Sequence, residues 1–239
     1  MNKKLFIYHQ TQLGDHILCY SIIKYYAKQY DEIIVFVRPL SDRHIQNLKR
    51  LYSSLPNVNM QLSSNHEESL NFINSNKDNK YLIFGHEDYR NALAQNNNLL
   101  RFDKYFYEKA GVPFENKWNE FYFERDLEKE KYIFYDIFKL KDDQSFIFLQ
   151  EDPSRIFLIN RNYIDFFSSI LESSKFPEVN IFDFLYTIEH AKQVHFINSA
   201  FLTFIDIMQI KHDNLFYHKY VRPSEHEQPH LKLNWKIID

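Results

Sequence analysis

Short apolar runs punctuate this chain at residues 5–8 (LFIY), 31–37 (DEIIVFV), 58–62, 80–84 (KYLIF), 145–149 (SFIFL), 156–159, 194–197 (VHFI) and 215–217. Each is the length of a buried strand and several are β-branched, so each predicts one. Between them the apolar spacing changes to that of helices. After residue 13, Ile17, Leu18, Ser21, Ile22, Tyr25 and Tyr26 mark one face of a helix; Ser41 caps another through about Tyr52, with Ile45, Leu48 and Leu51 inward. Further helices are predicted over 66–73, 99–110 (stopped by Gly111 and Pro113), about 127–140, 162–173, 181–191 and 200–210. Residues 86–98 are polar and read as loop or short helix, and 231–238 as a tail packing back on the body. Strands alternating with helices predict βαβ units and parallel sheets, hence an α/β fold.

Composition narrows the class. The 239 residues can bury a real core as one large or two small domains, and a net charge of −3 gives no polyanion-binding footprint. A single cysteine, Cys19, cannot form an internal disulfide, which fits a reducing cytoplasm. The basic start, Lys3-Lys4, precedes an apolar run too short for a signal peptide, and no stretch is long enough to span a membrane. The expected location is cytoplasmic, at the membrane periphery at most. With 23 Phe and 17 Tyr, an aromatic cluster alone says little about function.

Candidate chemistry sits in the turns that leave strands, which face the crevice where open α/β sheets bind ligands. After the first strand come His9-Gln10-Thr11-Gln12 and then Leu13-Gly14-Asp15-His16-Ile17. Only three glycines exist, so Gly14 suggests a backbone with positive φ or a close approach by another molecule. Asp15 at the helix start has two open roles: an N-cap, or a carboxylate in the cleft that accepts a proton from a substrate hydroxyl.

The Leu-Gly-Asp-His-Ile segment resembles the opening of the heptosyltransferase-like glycosyltransferases, the family 9-like group with GT-B architecture. The segment from Ala110-Gly111-Val112-Pro113-Phe114 through Trp118-x-x-Phe121 to Arg125-Asp126-x-x-x-Glu130 resembles the connector of its small bacterial members. Without the resemblance it reads as a helical linker, with Lys117 and Arg125 as surface ion-pair partners. The resemblance implies two Rossmann-like lobes, compact and GT-B-like: residues 1–125 on the acceptor side and 126–239 for the donor nucleotide. It implies inverting, metal-independent transfer of a hexosyl or heptosyl group from a nucleotide-diphosphate sugar to a hydroxyl of a glycan or lipid-linked glycan, as in polysaccharide biosynthesis. Asp15 maps onto the family's catalytic base, with Gly14 and His16 on the acceptor or cleft side.

In the second half, Asp152-Pro153-Ser154-Arg155 resembles the group's Asp-Asp-Pro-Ser-Arg-Gly-Phe turn, with Gln150 where a His is common, Glu151 for Asp and Ile156 for Gly. Arg155 and Ser154 suit phosphate oxygens, and a leaving diphosphate needs its charge offset. The competing role for Arg155 is an ion pair with Asp152 or Glu151. Asn198-Ser199-Ala200 stands where the group has Asp-Ser-Ser beside the diphosphate; Ser199 otherwise only caps a helix. Glu189 could reach a donor ribose or make a salt bridge, and Asp206 needs a partner if buried.

No cofactor beyond the nucleotide-sugar substrate is implied. The 11 histidines show no metal-ligand spacing, His86-Glu87-Asp88 and His226-Glu227 read as surface clusters, and phosphate-loop, dinucleotide and hydrolase-elbow motifs are missing. Two rivals remain: a catalytically inactive nucleotide- or sugar-binding protein of the same fold, and another α/β class such as a nucleotide-sugar epimerase or phosphotransferase. The particular sugar, nucleotide, acceptor and oligomeric state are not encoded in these motifs.

Overall fold

The computed structural model describes residues 3–9, 12–76, 79–95, 101–165, 168–224 and 227–239. The chain divides into two compact units, Met1–Phe123 with His226–His230, and Glu124–Glu225 with Leu231–Asp239.

In the first unit, β1 (Lys4–Tyr8), β2 (Glu32–Val37), β3 (Val58–Leu62) and β4 (Lys80–Ile83) form a wholly parallel sheet in the order β3-β2-β1-β4. Central strands of such a sheet are covered on both faces and must be apolar throughout. Leu5, Phe6 and Ile7 of β1 and Val35, Phe36 and Val37 of β2 accordingly are buried, whereas the edge strand β4 leaves Tyr81 exposed. The helices are α1 (Leu13–Ala27), α2 (Asp42–Leu51), α3 (His66–Ser75), α4 (His86–Gln95), α5 (Phe102–Lys109) and α6 (Asn116–Asn119). Ser41 and Asn65 cap α2 and α3 through their side chains, as small polar residues at that position do.

Helix α1 departs from the expected stripe. Every residue from His16 to Ile23 is buried, because α2, α5 and α6 pack around it in addition to the sheet. A helix enclosed on all sides is apolar all round. Some of the polar groups around it pair within the unit: Tyr20 with Ser54 at 2.7 Å, and the Tyr107 hydroxyl donating to the Leu18 carbonyl at 2.9 Å. Helix α5 stops where predicted. Gly111 takes φ +65, its N–H bonding to Glu108 and that of Val112 to Tyr107, the pairing that closes a helix end through a left-handed residue. The predicted start of this helix at Leu99 lies outside the described residues.

In the second unit, α7 (Leu127–Tyr132), β5 (Phe146–Gln150), β6 (Ser169–Glu172), α8 (Leu185–His190), β7 (Gln193–Phe196), α9 (Ala200–Met208), β8 (Leu215–His218) and β9 (Lys236–Ile238) build a second all-parallel sheet, β6-β5-β7-β8-β9. Helix α7 runs on as a wider π-helical turn, Ile133–Ile137. Two expectations fail here. Residues 156–159 are not a strand; Phe157 only bridges back to Asp152. Residues 162–173 are not a helix but a 3-10 turn (Arg161–Tyr163) followed by β6, with Phe166 and Phe167 outside the described residues. Pairing of Phe146–Leu149 with Ser169–Glu172 outweighs the weak helical spacing there.

Buried carboxylates organise both units. Asp103, wholly buried, accepts from Lys117 Nζ at 2.8 Å and from the His230 backbone N–H and ring Nδ1 at 2.7 Å each. Lys117 is therefore a core residue and not the surface partner expected, its ammonium also donating to the His230 carbonyl. Burial pushes the Asp103 carboxyl up, but Lys117 and His230 more than reverse this and hold it below the ordinary range. Asp206 of α9 finds the partners its burial demands: the backbone N–H groups of Lys232 and Leu233 and the Trp235 indole, at 2.8 to 3.1 Å.

Lys117→Met should cost roughly 3–5 kcal/mol by leaving a buried charge uncompensated. Urea unfolding of the two proteins measures it. Because Asp103 titrates below its unfolded value, the difference should be full at neutral pH and shrink as pH falls below about 4.

Candidate functional site

In each sheet the strand order reverses once, and polar turns gather at the carboxyl ends beside that point. In the first unit the reversal lies between β1 and β4. A cleft of about 180 Å³ opens there, lined by Tyr8, His9, His66, Ile83, Phe84, Gly85, Glu87, Asp88 and Asn91 among the described residues. The Tyr8 hydroxyl is 2.9 Å from His66 Nδ1, and burial followed by the charge of Glu87 raises the phenol's pKa. Asp88 accepts from the Tyr105 hydroxyl at 2.8 Å and lies 3.5 Å from Lys109 Nζ.

Asp15 is not the N-cap of α1. That position is Gln12, and Asp15 lies within the first turn, its amide bonded to the Gln12 carbonyl. Its Oδ1 is 3.1 Å from His86 Nε2, the first residue of α4, with the carboxylate 13% and the imidazole 26% exposed. The imidazole stacks on Phe102 with centroids 4.8 Å apart and meets the edge of Phe106. An ionised carboxylate only accepts, so Nε2 donates to Oδ1, and no described residue bonds Oδ2. Neither residue lines the cleft, but Gly85 and Glu87, which flank His86 in sequence, do.

The other residues of the Leu-Gly-Asp-His segment have different places. Gly14 sits in α1 with helical backbone, so a positive φ is not its reason; Gly85, between β4 and α4, adopts one, φ 146, as Gly111 does. His16 is fully buried inside the unit and not in the cleft, its Nδ1 bonded to the Tyr52 hydroxyl at 2.8 Å and its ring against His9. Burial, with His9 and His44 adding to it, depresses its pKa well below normal and keeps it neutral. Gln10 and Thr11 lie outside the described residues.

In the second unit the reversal lies between β5 and β7. Ser199 caps α9 and donates its hydroxyl to Gln150 Oε1 at 2.7 Å, which ties the ends of the two strands together. The Asn198 carbonyl accepts from Arg222 at 2.8 Å. Asp152 gathers the turn: its carboxylate accepts from Ser154 Oγ at 2.5 Å and from Arg155 Nε at 2.6 Å. Arg155 is thus the ion-pair partner of Asp152, while its side chain stays 58% exposed. Glu151 serves a different partner, taking two hydrogen bonds from Arg161 and one from the Ile159 amide. Glu189 makes a salt bridge, paired to Arg125 at 2.7 and 2.9 Å, and Arg125 also binds buried Glu130. That network gives Glu189 its structural role and takes Arg125 out of the class of isolated surface pairs.

His86 and Glu87 escaped the sequence reading, which treated them as a surface cluster. The signal was present: they follow a strand and a Gly, as the Leu-Gly-Asp turn follows β1. Among the described residues no group of three or more His, Cys, Asp or Glu is disposed to hold a metal ion. No helix among them is long and apolar enough to cross a membrane.

No family model matches the chain, and no curated protein matches it. Among solved structures, it is similar to a glycosyl transferase family 9 protein from Veillonella parvula DSM 2008. The two share 10% identity with a TM-score of 0.48, over 86% of this chain and 78% of that one.

Ile156, the residue after the Arg155 turn, has φ 61 and ψ 26 and is 82% exposed. A β-branched residue in the left-handed region is strained, and its side chain gains little here from burial. Ile156→Gly should therefore raise stability by about 0.5–1 kcal/mol, the relieved strain less the added chain entropy. Thermal unfolding checks this; a loss of stability would mean that the side chain has a role beyond the turn.

Proposed function

We propose that the protein is a glycosyltransferase that moves a sugar from a nucleotide-diphosphate sugar to an acceptor hydroxyl, with inversion and without a metal. Asp15 takes the hydroxyl proton on the oxygen that His86 leaves unoccupied, as the new glycosidic bond forms and the bond to the diphosphate breaks. The leaving diphosphate is met by Arg155, Ser154, the Asn198-Ser199 turn and the amino end of α9, which offset its growing charge. The first unit takes the acceptor, a glycan or lipid-linked glycan in polysaccharide assembly, and the second takes the donor nucleotide. One observation carries the reading: the carboxylate in the first turn after β1 is held through one oxygen by His86 beside the sheet's reversal point. That arrangement suits a base.

A second reading, a nucleotide- or sugar-binding protein without turnover, is favoured by the closure of Arg155 onto Asp152 and by Ile156 in the turn. An anion must compete with Asp152 for that guanidinium.

A panel of nucleotide sugars assayed for donor hydrolysis and transfer separates the two. Asp15→Asn should lower turnover by about 100-fold or more, the scale of a lost general base, while leaving nucleotide binding unchanged. Unchanged turnover in that variant would reject Asp15, and a wild-type protein that binds but never turns over would favour the second reading.

A further inference from the structure

We infer that the cleft between β1 and β4 holds a single sugar ring bearing no anionic group. This rests on the reading that the first unit takes the acceptor, and names its class. At about 180 Å³ the cleft is smaller than the roughly 300–1,000 Å³ of drug-sized sites, so its occupant is one ring. Its walls combine acceptors and donors: the carboxylates of Glu87 and Asp88, the amide of Asn91 and the phenol of Tyr8. Neighbouring hydroxyls of a sugar each donate and accept, which such a mixed wall satisfies. Tyr8 is fixed for this by its bond to His66, with the two rings 5.1 Å apart.

Charge supplies the selectivity. Among the described lining residues none is Lys or Arg, the side chains that recognise phosphate or carboxylate. Asp88 is balanced by Lys109 and Tyr105. Glu87 has no ion pair among the described residues, and its field already reaches Tyr8. A carboxylated or phosphorylated ring entering the cleft meets that charge directly. A neutral or amino sugar does not.

Amide NMR titration of the full chain with glucose, glucosamine and glucuronate tests this. Glucose and glucosamine should shift the amides of Tyr8 and of residues 84–88, with glucuronate binding roughly tenfold more weakly at low salt. Glu87→Gln, an exposed helix substitution, should bring glucuronate to within about twofold of glucose. Equal binding of glucuronate by the wild type, a gap that Glu87→Gln leaves intact, or no sugar shifting these amides would overturn the assignment. The titration reads binding and not turnover. Sugar shifts without any transfer would therefore reject the catalytic reading alone, and transfer to an anionic acceptor as fast as to a neutral one would reject the cleft assignment alone.

Discussion

Parallel strands buried on both faces leave nowhere along their length for chemistry. The inner positions of β1 and β5 are instead spent on packing, Leu5 to Ile7 in one sheet and Phe146 to Leu149 in the other, and Tyr8 and Gln150 at the carboxyl ends carry polar groups. Polar side chains are therefore driven to the carboxyl ends, and the reversal of strand order opens a gap for them there. The Asp15–His86 pair beside the first reversal and the Gln150–Ser199 pair at the second are products of this single constraint.

A second layer of organisation comes from carboxylates that bind backbone. Asp103 holds the amide of His230, and Asp206 holds those of Lys232 and Leu233 with the Trp235 indole. Each buried charge is stable only because several donors converge on it, so each also fixes the path of the chain that supplies them. The last strand, β9, follows directly from the segment that Asp206 captures. The turn after β5 is organised on the same principle: Asp152 orders Ser154 and Arg155, and Glu151 orders Arg161.

The regular parts of this architecture were legible in the residues. Strands such as Val58–Leu62, the Ser41 cap and the Gly111 stop follow from local chemistry, which the fold does not override. The environment of α1 was not legible, since polar positions such as Tyr20 and Ser21 are enclosed when α2, α5 and α6 pack around the helix. Nor was β6, whose residues become a strand only by pairing with β5. At the candidate site the sequence singled out Asp15 but not its partner: His86 did not stand out, because the two are 71 positions apart. Lys117 failed for the same reason, its acceptors being Asp103 and a carbonyl over a hundred residues later. Long-range pairing is invisible to a reading of local patterns, and it decides which polar residues are structural.

The central claim is that a nucleoside diphosphate binds where β5 and β7 part. Hydrogen exchange of the full chain with and without UDP, GDP and ADP measures it most directly. Slower exchange confined to residues 150–155 and 198–202 with at least one nucleotide is the predicted result. Exchange there that no nucleotide alters, or protection only in the first unit, would contradict it.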